Sequence, residues 1–400
     1  MLKPYKIAIL ESSLSVENKA LMIRKLIQLE QEKDDGRSYA KLRAWVDTFL
    51  RLPFDKYIHL PVNIDRDGVE KCHDFMENAY ATLHTAVYGL SEAKMQIMQM
   101  IGQLMTNPQS VGCAIAISGP PGTGKTNLVK EGISRILNRP FAFIPLGGAT
   151  DSSFLEGHEY TYEGSMCGRI AQILVECQCM NPVIYFDELD KISETPRGEE
   201  IVGVLTHLTD TTQNSLFQDK YFAEVKLDLS KCLFIFSYND ESKVNRILKD
   251  RMYQIKTEEY SAQDKIRIAT DYLLPKLREQ LKMTEEQVVF APGVMQYIIQ
   301  NFCSGESGVR NLKRCLETIL TKLNLYRLMK EDSKLFEQEI PIGNGAGVAS
   351  RNAKKDREEG SGETTEVPKR IRFPFTVTPR EVQVLLKQNA GSDVWKAMYC

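Results

Sequence analysis

The sequence lacks any run of about 18 consecutive apolar residues, the length that a membrane-spanning helix needs. The opening stretch MLKPYKIAILESS has no signal-peptide pattern, contains Glu11 and lacks the arginines of a mitochondrial presequence. We therefore expect no membrane partner, and a location in the cytoplasm or in another reducing, soluble compartment.

An excess of charge of either sign is also missing. The 51 Lys and Arg residues face 53 Asp and Glu residues, so the formal net charge is −2. This balance provides no bulk attraction for nucleic acid, which we do not expect as the main partner.

Clustered cysteines are missing as well. The nine cysteines are scattered and odd in number, which argues against a disulfide framework and for reduced thiols. The one tight pair, Cys177 and Cys179, has no second Cys or His pair at zinc spacing. Cys177 is in phase with Ile170 and Ile173, which predicts the buried face of a helix.

The spacing of apolar residues changes along the chain. The spacing of Leu42, Trp45 and Phe49 predicts helices in an N-terminal segment, residues 1–85. Over residues 86–257, helical stretches alternate with the short apolar runs CAIAI (113–117), FAFIPL (141–146), VIYF (183–186) and CLFIF (232–236). Strands that are apolar on both faces are typical of a parallel sheet covered by helices, so we expect an α/β fold here.

Three segments follow: a helical one (258–332), a polar, glycine-rich one (333–369) and a short C-terminal one (370–400). Ser261 with Asp264 three residues later predicts a capping box at the start of the helical segment. Residues 343–369 are rich in glycine and have too few large apolar side chains to fold, which predicts a flexible linker over 333–369. In the last segment, Thr378 and Glu381 are spaced as at a helix N-terminus.

GPPGTGKT matches the phosphate-binding pattern G-x-x-x-x-G-K-[ST] between an apolar run and a helical stretch. Its members are Gly119, Pro120, Pro121, Gly122, Thr123, Gly124, Lys125 and Thr126. Glycines let backbone N–H groups close around phosphate oxygens, and the following helix turns its positive end toward the same charge. We expect Lys125 to neutralise the β and γ phosphates of ATP, and the Thr126 hydroxyl to bind Mg²⁺.

VIYFDELDK (183–191) begins with an apolar strand, at whose end Asp187 and Glu188 lie. Adjacent carboxylates at the end of a buried strand suit a hydrolase, with Asp187 in the Mg²⁺ shell and Glu188 activating the attacking water. Two solvated acids at a strand end are the ordinary alternative, and the preceding phosphate loop favours the hydrolase.

Two further side chains follow later apolar runs. Asn239 is the last residue but one of CLFIFSYND and is expected to orient water near the γ phosphate. Arg251, in ILKDRMYQI, has a suitable position for a cationic finger, which contributes about 10³ to 10⁵ in rate. A surface charge is the alternative for a lone arginine.

The sequence resembles the ATPase module of the Lon AAA+ proteases over about residues 5–330. In order and spacing, the resemblance rests on GPPGTGKT, LGGATDSSFLEGHEYTYEGSMCGRI, NPVIYFDELDK, TQNSLFQDKYFAEVKLDLSKCLFIFSYN, LKDRM and SGVRNLKR. It implies a P-loop AAA+ parallel-sheet sandwich over 86–257, preceded by the helical segment and followed by a small helical lid domain over 258–332.

The resemblance also implies a role for each matching residue. Asn239 corresponds to sensor 1, Arg251 to a finger that acts on a neighbouring subunit's ATP, and Arg310 to sensor 2. Tyr88 and Gly89 match the segment beside the adenine. Because the finger acts on a neighbour, the resemblance implies a homo-oligomeric ring, usually a hexamer.

The stretch TYEGSMCGRI matches the family's pore loop, whose tyrosine grips an unfolded polypeptide, so the resemblance implies this role for Tyr162. A large aromatic ring can contact side chains of any type, and the flanking glycines allow the loop to move. A tyrosine packed under a surface loop is the alternative. Glu163 stands where the family has an aliphatic residue, and Glu159 and Tyr160 stand where basic residues are common. A more acidic loop would change which polypeptides are gripped.

The family's Ser-Lys peptidase domain finds no counterpart in the sequence. The first hypothesis is therefore an ATP-driven unfoldase without its own peptidase. The second is the ATPase part of a Lon-type protease that acts with a separate peptidase subunit. The third, a non-catalytic assembly or nucleic-acid-binding protein, is disfavoured by Glu188 and by the near-neutral charge.

Overall fold

A computed structural model describes residues 3–32, 36–108, 112, 114–149, 151–162, 164–329 and 373–387. The chain divides into two compact units, 1–120 with 124–258, and 121–123 with 259–400. The predicted linker 333–369 and Glu163 lie outside the described residues. The domain boundaries expected from the sequence remain predictions.

The first unit contains a five-stranded parallel sheet with the order β2-β3-β4-β1-β5. The strands are β1 Ala114–Ser118, β2 Phe141–Pro145, β3 Val183–Asp187, β4 Leu233–Tyr238 and β5 Tyr253–Lys256. The residues of β1 and β4 are buried throughout, because helices cover both faces. The structure confirms the predicted α/β fold with a parallel sheet.

Alternate residues of the strands enter two separate apolar cores. Phe234 and Phe236 of β4 face one core, whereas Leu233 and Ile235 face the other. This alternation follows from the period of two along a strand. The uninterrupted apolar runs of the sequence therefore supply both faces of the sheet.

An N-terminal group of helices packs on these cores. It comprises α1 Lys3–Glu11, α2 Val16–Gln31, α3 Gly36–Leu50, α4 Ile64–Ala86 and α5 Ser91–Thr106. Leu42, Trp45 and Phe49 lie on one buried face of α3, as their spacing predicts. α4 contains a non-helical residue, Gly68, whose φ of 77° interrupts the helix near its start.

The remaining helices of the first unit follow or connect the strands. They are α6 Lys125–Asn127, which continues through the π-helical segment Leu128–Ile133 into α7 Ser134–Leu137, then α8 Ser153–Glu156, α9 Arg169–Cys177, α10 Pro196–Thr209 and α11 Arg246–Arg251. Cys177 is only half-buried, because it ends α9 at the rim of the core. It lies on the buried face of α9 that carries Ile170 and Ile173, as its spacing predicts.

The second unit is mainly helical. It contains α12 Ala262–Ile268, the π-helical segment Ala269–Leu273, α13 Leu274–Leu281, β6 Val288–Phe290, α14 Val294–Phe302, α15 Arg310–Leu328, β7 Phe375–Val377 and α16 Pro379–Lys387. The capping box of Ser261 and Asp264 is present, which confirms that prediction. β7 pairs in parallel with β6, and Phe375 and Val382 are buried in this unit's core. The described C-terminal residues thus complete the second unit.

No helix in the described part of the chain is long and apolar enough to cross a bilayer. The compartment expected from the sequence remains a prediction.

Candidate functional site

Three neighbouring strands bring the predicted polar residues to one edge of the sheet. Gly119 follows β1, Asp187 ends β3, and Asn239 follows β4. In the order β3-β4-β1 these strands are adjacent and parallel. The carboxyl ends of parallel strands are where α/β sheets bind ligands.

Lys125 is the centre of this group. Its ammonium donates hydrogen bonds to the carbonyl oxygens of Gly119 and Pro120, over 2.6 and 3.0 Å. It donates a third hydrogen bond to Oδ1 of Asn239, at 2.8 Å. Lys125 therefore joins the loop after β1 to the end of β4.

The charge of Lys125 is only partly compensated. Its side chain is 8% exposed, and burial lowers its pKa to about 8, while Asp187 and Asp190 act in the opposite direction. Its hydrogen-bond partners are neutral oxygens. A buried cation of this kind is suited to an anionic ligand such as a phosphate.

The loop between β1 and α6 depends on glycine at its two ends. Gly119 has a φ of 145°, and a Cβ there would lie 2.0 Å from Oγ1 of Thr257. Gly124 has a φ of 89° and would bring a Cβ within 3.1 Å of Val87. The loop thus has the backbone form that a phosphate cradle requires.

The two predicted Mg²⁺ ligands are held by side chains that the sequence analysis missed. The Thr126 hydroxyl lies 3.3 Å from the hydroxyl of Tyr185. The Ser237 hydroxyl donates a hydrogen bond to Oδ1 of Asp187. Tyr185 and Ser237 precede Asp187 and Asn239 by two residues, so strand periodicity offered a signal for both.

Glu188 occupies an unusual backbone conformation. Its φ of 60° and ψ of 46° lie in the left-handed region, which a non-glycine residue seldom adopts. A Cβ added to Gly147 would lie 2.3 Å from Oε2 of Glu188. The missing side chain of Gly147 therefore leaves room for the Glu188 carboxylate. Backbone strain of this kind is concentrated at functional sites.

Arg251 ends α11 and lies against the C-terminal end of α10. Its guanidinium forms an ion pair with Asp210 at 2.5 Å and donates a hydrogen bond to the carbonyl of Thr206 at 3.3 Å. Hydrogen bonds from Thr212, and then the Arg251 guanidinium, lower the pKa of Asp210 to about 2. The structure therefore pairs Arg251 with Asp210 and does not bring it into the group around Lys125.

The other residues implied by the resemblance lie in three places. Tyr88 and Gly89 lie in the turn between α4 and α5, where Lys94 donates a hydrogen bond to the Val87 carbonyl at 2.7 Å. Arg310 is the first residue of α15 in the second unit. Tyr162 is 63% exposed, which contradicts the alternative of a tyrosine packed under a surface loop.

Comparisons with known proteins match both units. Residues 115–259 match the family described as "ATPase family associated with various cellular activities (AAA)", and residues 279–336 match the "Lon protease AAA+ ATPase lid domain".

Similar proteins carry the same family name. A Lon protease homolog of Acanthamoeba polyphaga mimivirus is 33% identical over 310 residues, which are 76% of this chain and 30% of the relative. The Lon protease of Clostridium acetobutylicum is 30% identical over 367 residues, 91% of this chain and 45% of the relative. A mitochondrial Lon protease homolog of Homo sapiens is 33% identical over 295 residues, 74% of this chain and 29% of the relative. The chain spans less than half the length of these relatives.

Proposed function

This chain belongs to the Lon family of AAA+ ATPases, and we propose that it hydrolyses ATP to grip, unfold and translocate polypeptide through the pore of a ring. The observation that carries this proposal is the convergence of Lys125, Asp187 and Asn239 at one sheet edge. The exposed Tyr162 in the same unit provides a surface for the polypeptide.

The first part of the proposal is ATP binding. Lys125 and the backbone N–H groups of the non-proline residues among 119–126 bind the phosphates, because the loop combines a buried ammonium with positive-φ glycines. Thr126 and Asp187 hold Mg²⁺, which neutralises phosphate charge when bound. Tyr88 and Gly89 lie beside the adenine in this proposal.

The second part is hydrolysis. Glu188 accepts the proton of the attacking water, and Asn239 orients that water. The strained backbone of Glu188 and the space left by Gly147 support this assignment, since both set the direction of one carboxylate. Arg310 is proposed as a second sensor from the lid domain.

The third part is assembly. Arg251 contacts the ATP of a neighbouring subunit, which makes the active unit a homo-oligomeric ring, proposed to be a hexamer. Its pairing with Asp210 supports this, because the guanidinium contacts Asp210 and Thr206 rather than the described residues of its own phosphate loop. Glu163, beside Tyr162, is proposed to influence which polypeptides are gripped.

The test uses purified protein, ATP and a fluorescently labelled folded protein that carries an unfolded tail, with unfolding and cleavage scored separately. We expect ATP-dependent unfolding without cleavage by these 400 residues. Tyr162→Ala should abolish unfolding, whereas Tyr80→Ala, which changes an exposed tyrosine on α4, should not. ATP hydrolysis without unfolding, or equal unfolding by Tyr162→Ala, would overturn the proposal.

A second candidate is supported by the names of the relatives, which are Lon proteases of more than twice the aligned length. We propose as the alternative that the chain is the ATPase part of an ATP-dependent protease and acts with a separate peptidase. Cleavage of the labelled polypeptide only after a co-purifying Ser-Lys peptidase is added would favour it.

A further inference from the structure

The loop that carries Tyr162 is closed at its base by a buried acid. We name residues 157–168 the Tyr162 loop. At its base, the amide of His158 donates a hydrogen bond to the carbonyl of Met166 at 3.2 Å. The amide of Gly168 donates to Oδ2 of Asp219 at 2.8 Å, and Asp219 is fully buried. The base of the loop is therefore held to the segment that begins at Asp219.

The same short segment anchors α3. The indole Nε1 of Trp45 donates a hydrogen bond to the carbonyl of Tyr221 at 2.9 Å. The rings of Trp45 and Phe222 lie 5.3 Å apart, edge to face. The segment 219–222 therefore contacts both the loop base and α3.

Lys41 lies one helical turn before Trp45 on α3 and reaches the far end of the loop. Its ammonium donates a hydrogen bond to the Tyr162 carbonyl at 2.9 Å and lies 4.5 Å from the ring centre of Tyr160. The Tyr160 ring also packs against Tyr221, with centroids 5.7 Å apart. One lysine therefore contacts both the backbone of Tyr162 and the residue two positions before it.

From these contacts we propose that Lys41 is a positioning residue for Tyr162: the N-terminal helix α3 holds the loop in the direction from which Tyr162 contacts polypeptide. The expected effect on polypeptide binding rests on the proposed function. The positioning of the loop rests only on the contacts of Lys41. A cation placed over an aromatic ring and bonded to a carbonyl stabilises one loop conformation over others.

Hydrogen–deuterium exchange of the loop amides tests the geometry without requiring any activity. Lys41→Met removes the charge and keeps an unbranched side chain, so loop amides should exchange about five- to thirtyfold faster. Lys41→Arg should retain slow exchange, since arginine also donates and stacks on aromatic rings. Lys71→Met, at an exposed lysine of α4 whose pairing is a 3.8 Å contact with Asp67, is the matched control. Unchanged exchange in Lys41→Met would overturn the proposal.

Polypeptide-stimulated ATP hydrolysis tests the consequence. Lys41→Met should raise the KM for polypeptide about five- to thirtyfold and leave kcat at saturation within twofold, with rescue by Lys41→Arg. A second pair is Tyr160→Leu, which removes the ring, and Tyr160→Phe, which keeps it; only Tyr160→Leu should raise the KM.

The failures of the two proposals are distinguishable. If the wild type unfolds polypeptide and Tyr162→Ala does not, a wild-type KM in Lys41→Met refutes the positioning role alone. If the wild type never responds to polypeptide, the proposed function fails, and the exchange experiment still decides whether Lys41 holds the loop.

Discussion

The ammonium of Lys125 lies 2.8 Å from Oδ1 of Asn239, although 114 positions separate the two residues. This hydrogen bond links the loop after β1 to the residue after β4, two strands that are neighbours in the sheet. A change at the carboxyl end of β1 or of β4 is therefore expected to affect the proposed phosphate site.

Asn239→Ala removes the side-chain oxygen that accepts the hydrogen bond from Lys125. A hydrogen bond to a charged group contributes about 1.5–3 kcal/mol, so steady-state ATP hydrolysis should fall roughly ten- to hundredfold. Asn78→Ala, at an exposed position on α4, is the control and should hydrolyse ATP as the wild type does. Wild-type turnover in Asn239→Ala would contradict the role of this residue.

Glu188→Gln keeps the shape of the side chain and removes its ability to accept a proton. We expect turnover to fall by about 10² to 10⁴, the usual contribution of a general base, while binding of a fluorescent ATP analogue persists. Glu194→Gln changes an exposed glutamate a few residues later and should have no effect. A loss of turnover of less than tenfold in Glu188→Gln would exclude Glu188 as the general base.

Gly147→Ala tests whether the space beside Glu188 matters. The added Cβ would lie 2.3 Å from Oε2 of Glu188, so the carboxylate must move, and a displacement of about 1 Å costs up to about 10² in rate. Gly148→Ala is the matched control, because a Cβ at Gly148 meets no atom within 4 Å. Stopped-flow measurement of phosphate release compares the two; equal rates would show that Glu188 does not need this position.

Arg251→Ala should lower turnover by about 10³ to 10⁵ if the guanidinium acts on a neighbour's ATP. Mixing Arg251→Ala subunits with Glu188→Gln subunits should restore part of the activity, because some interfaces then combine an intact finger with an intact base. Arg246→Ala, at an exposed position of the same helix, is the control. Absence of recovery in the mixture would argue against action between subunits.

Asp219 should make stability depend on pH. Burial, the main cause, raises its pKa to about 7 from the ordinary 3.8, with a smaller contribution from Glu156. Between these values the folded state holds a proton that the unfolded chain has lost, so the stabilisation by this proton decreases as pH rises. The unfolding free energy of the wild type relative to Asp219→Asn should therefore fall from pH 4 to pH 7, by at most about 4 kcal/mol, and level off above.

Urea denaturation at several pH values measures this difference. The Asp190→Asn variant, which changes another buried acid near the same sheet, controls for general pH effects on unfolding. The prediction is contradicted if the unfolding free energy of the wild type relative to Asp219→Asn rises with pH. The backbone donors would then stabilise the carboxylate more than burial destabilises it.

Local patterns predicted much of the fold, because strand and helix formation depend on nearby residues. The apolar run 113–117 predicted a strand that the structure places at Ala114–Ser118, and Ser261 with Asp264 predicted the capping box of α12. These features follow from side-chain periodicity and from backbone hydrogen bonds over a few residues.

The pairing of distant side chains was not predictable in this way. The hydrogen bond from Ser237 to Asp187 joins residues that are 50 positions apart in the sequence. The hydrogen bond from Lys41 to Tyr162 joins residues that are 121 positions apart. Strand order and helix packing determine such contacts, and no short pattern records them. Gly147 shows the same limit, since only the folded chain places the Glu188 carboxylate beside it.

By itself, the sequence determined the loop GPPGTGKT, the acidic strand end and the alternation of strands and helices, because each is encoded within a short segment. The tertiary structure decided that β1, β3 and β4 are neighbours, that β7 pairs with β6, and that α3 contacts the Tyr162 loop. The reason is physical: local patterns specify elements, whereas burial of their apolar faces against one another specifies which polar groups meet.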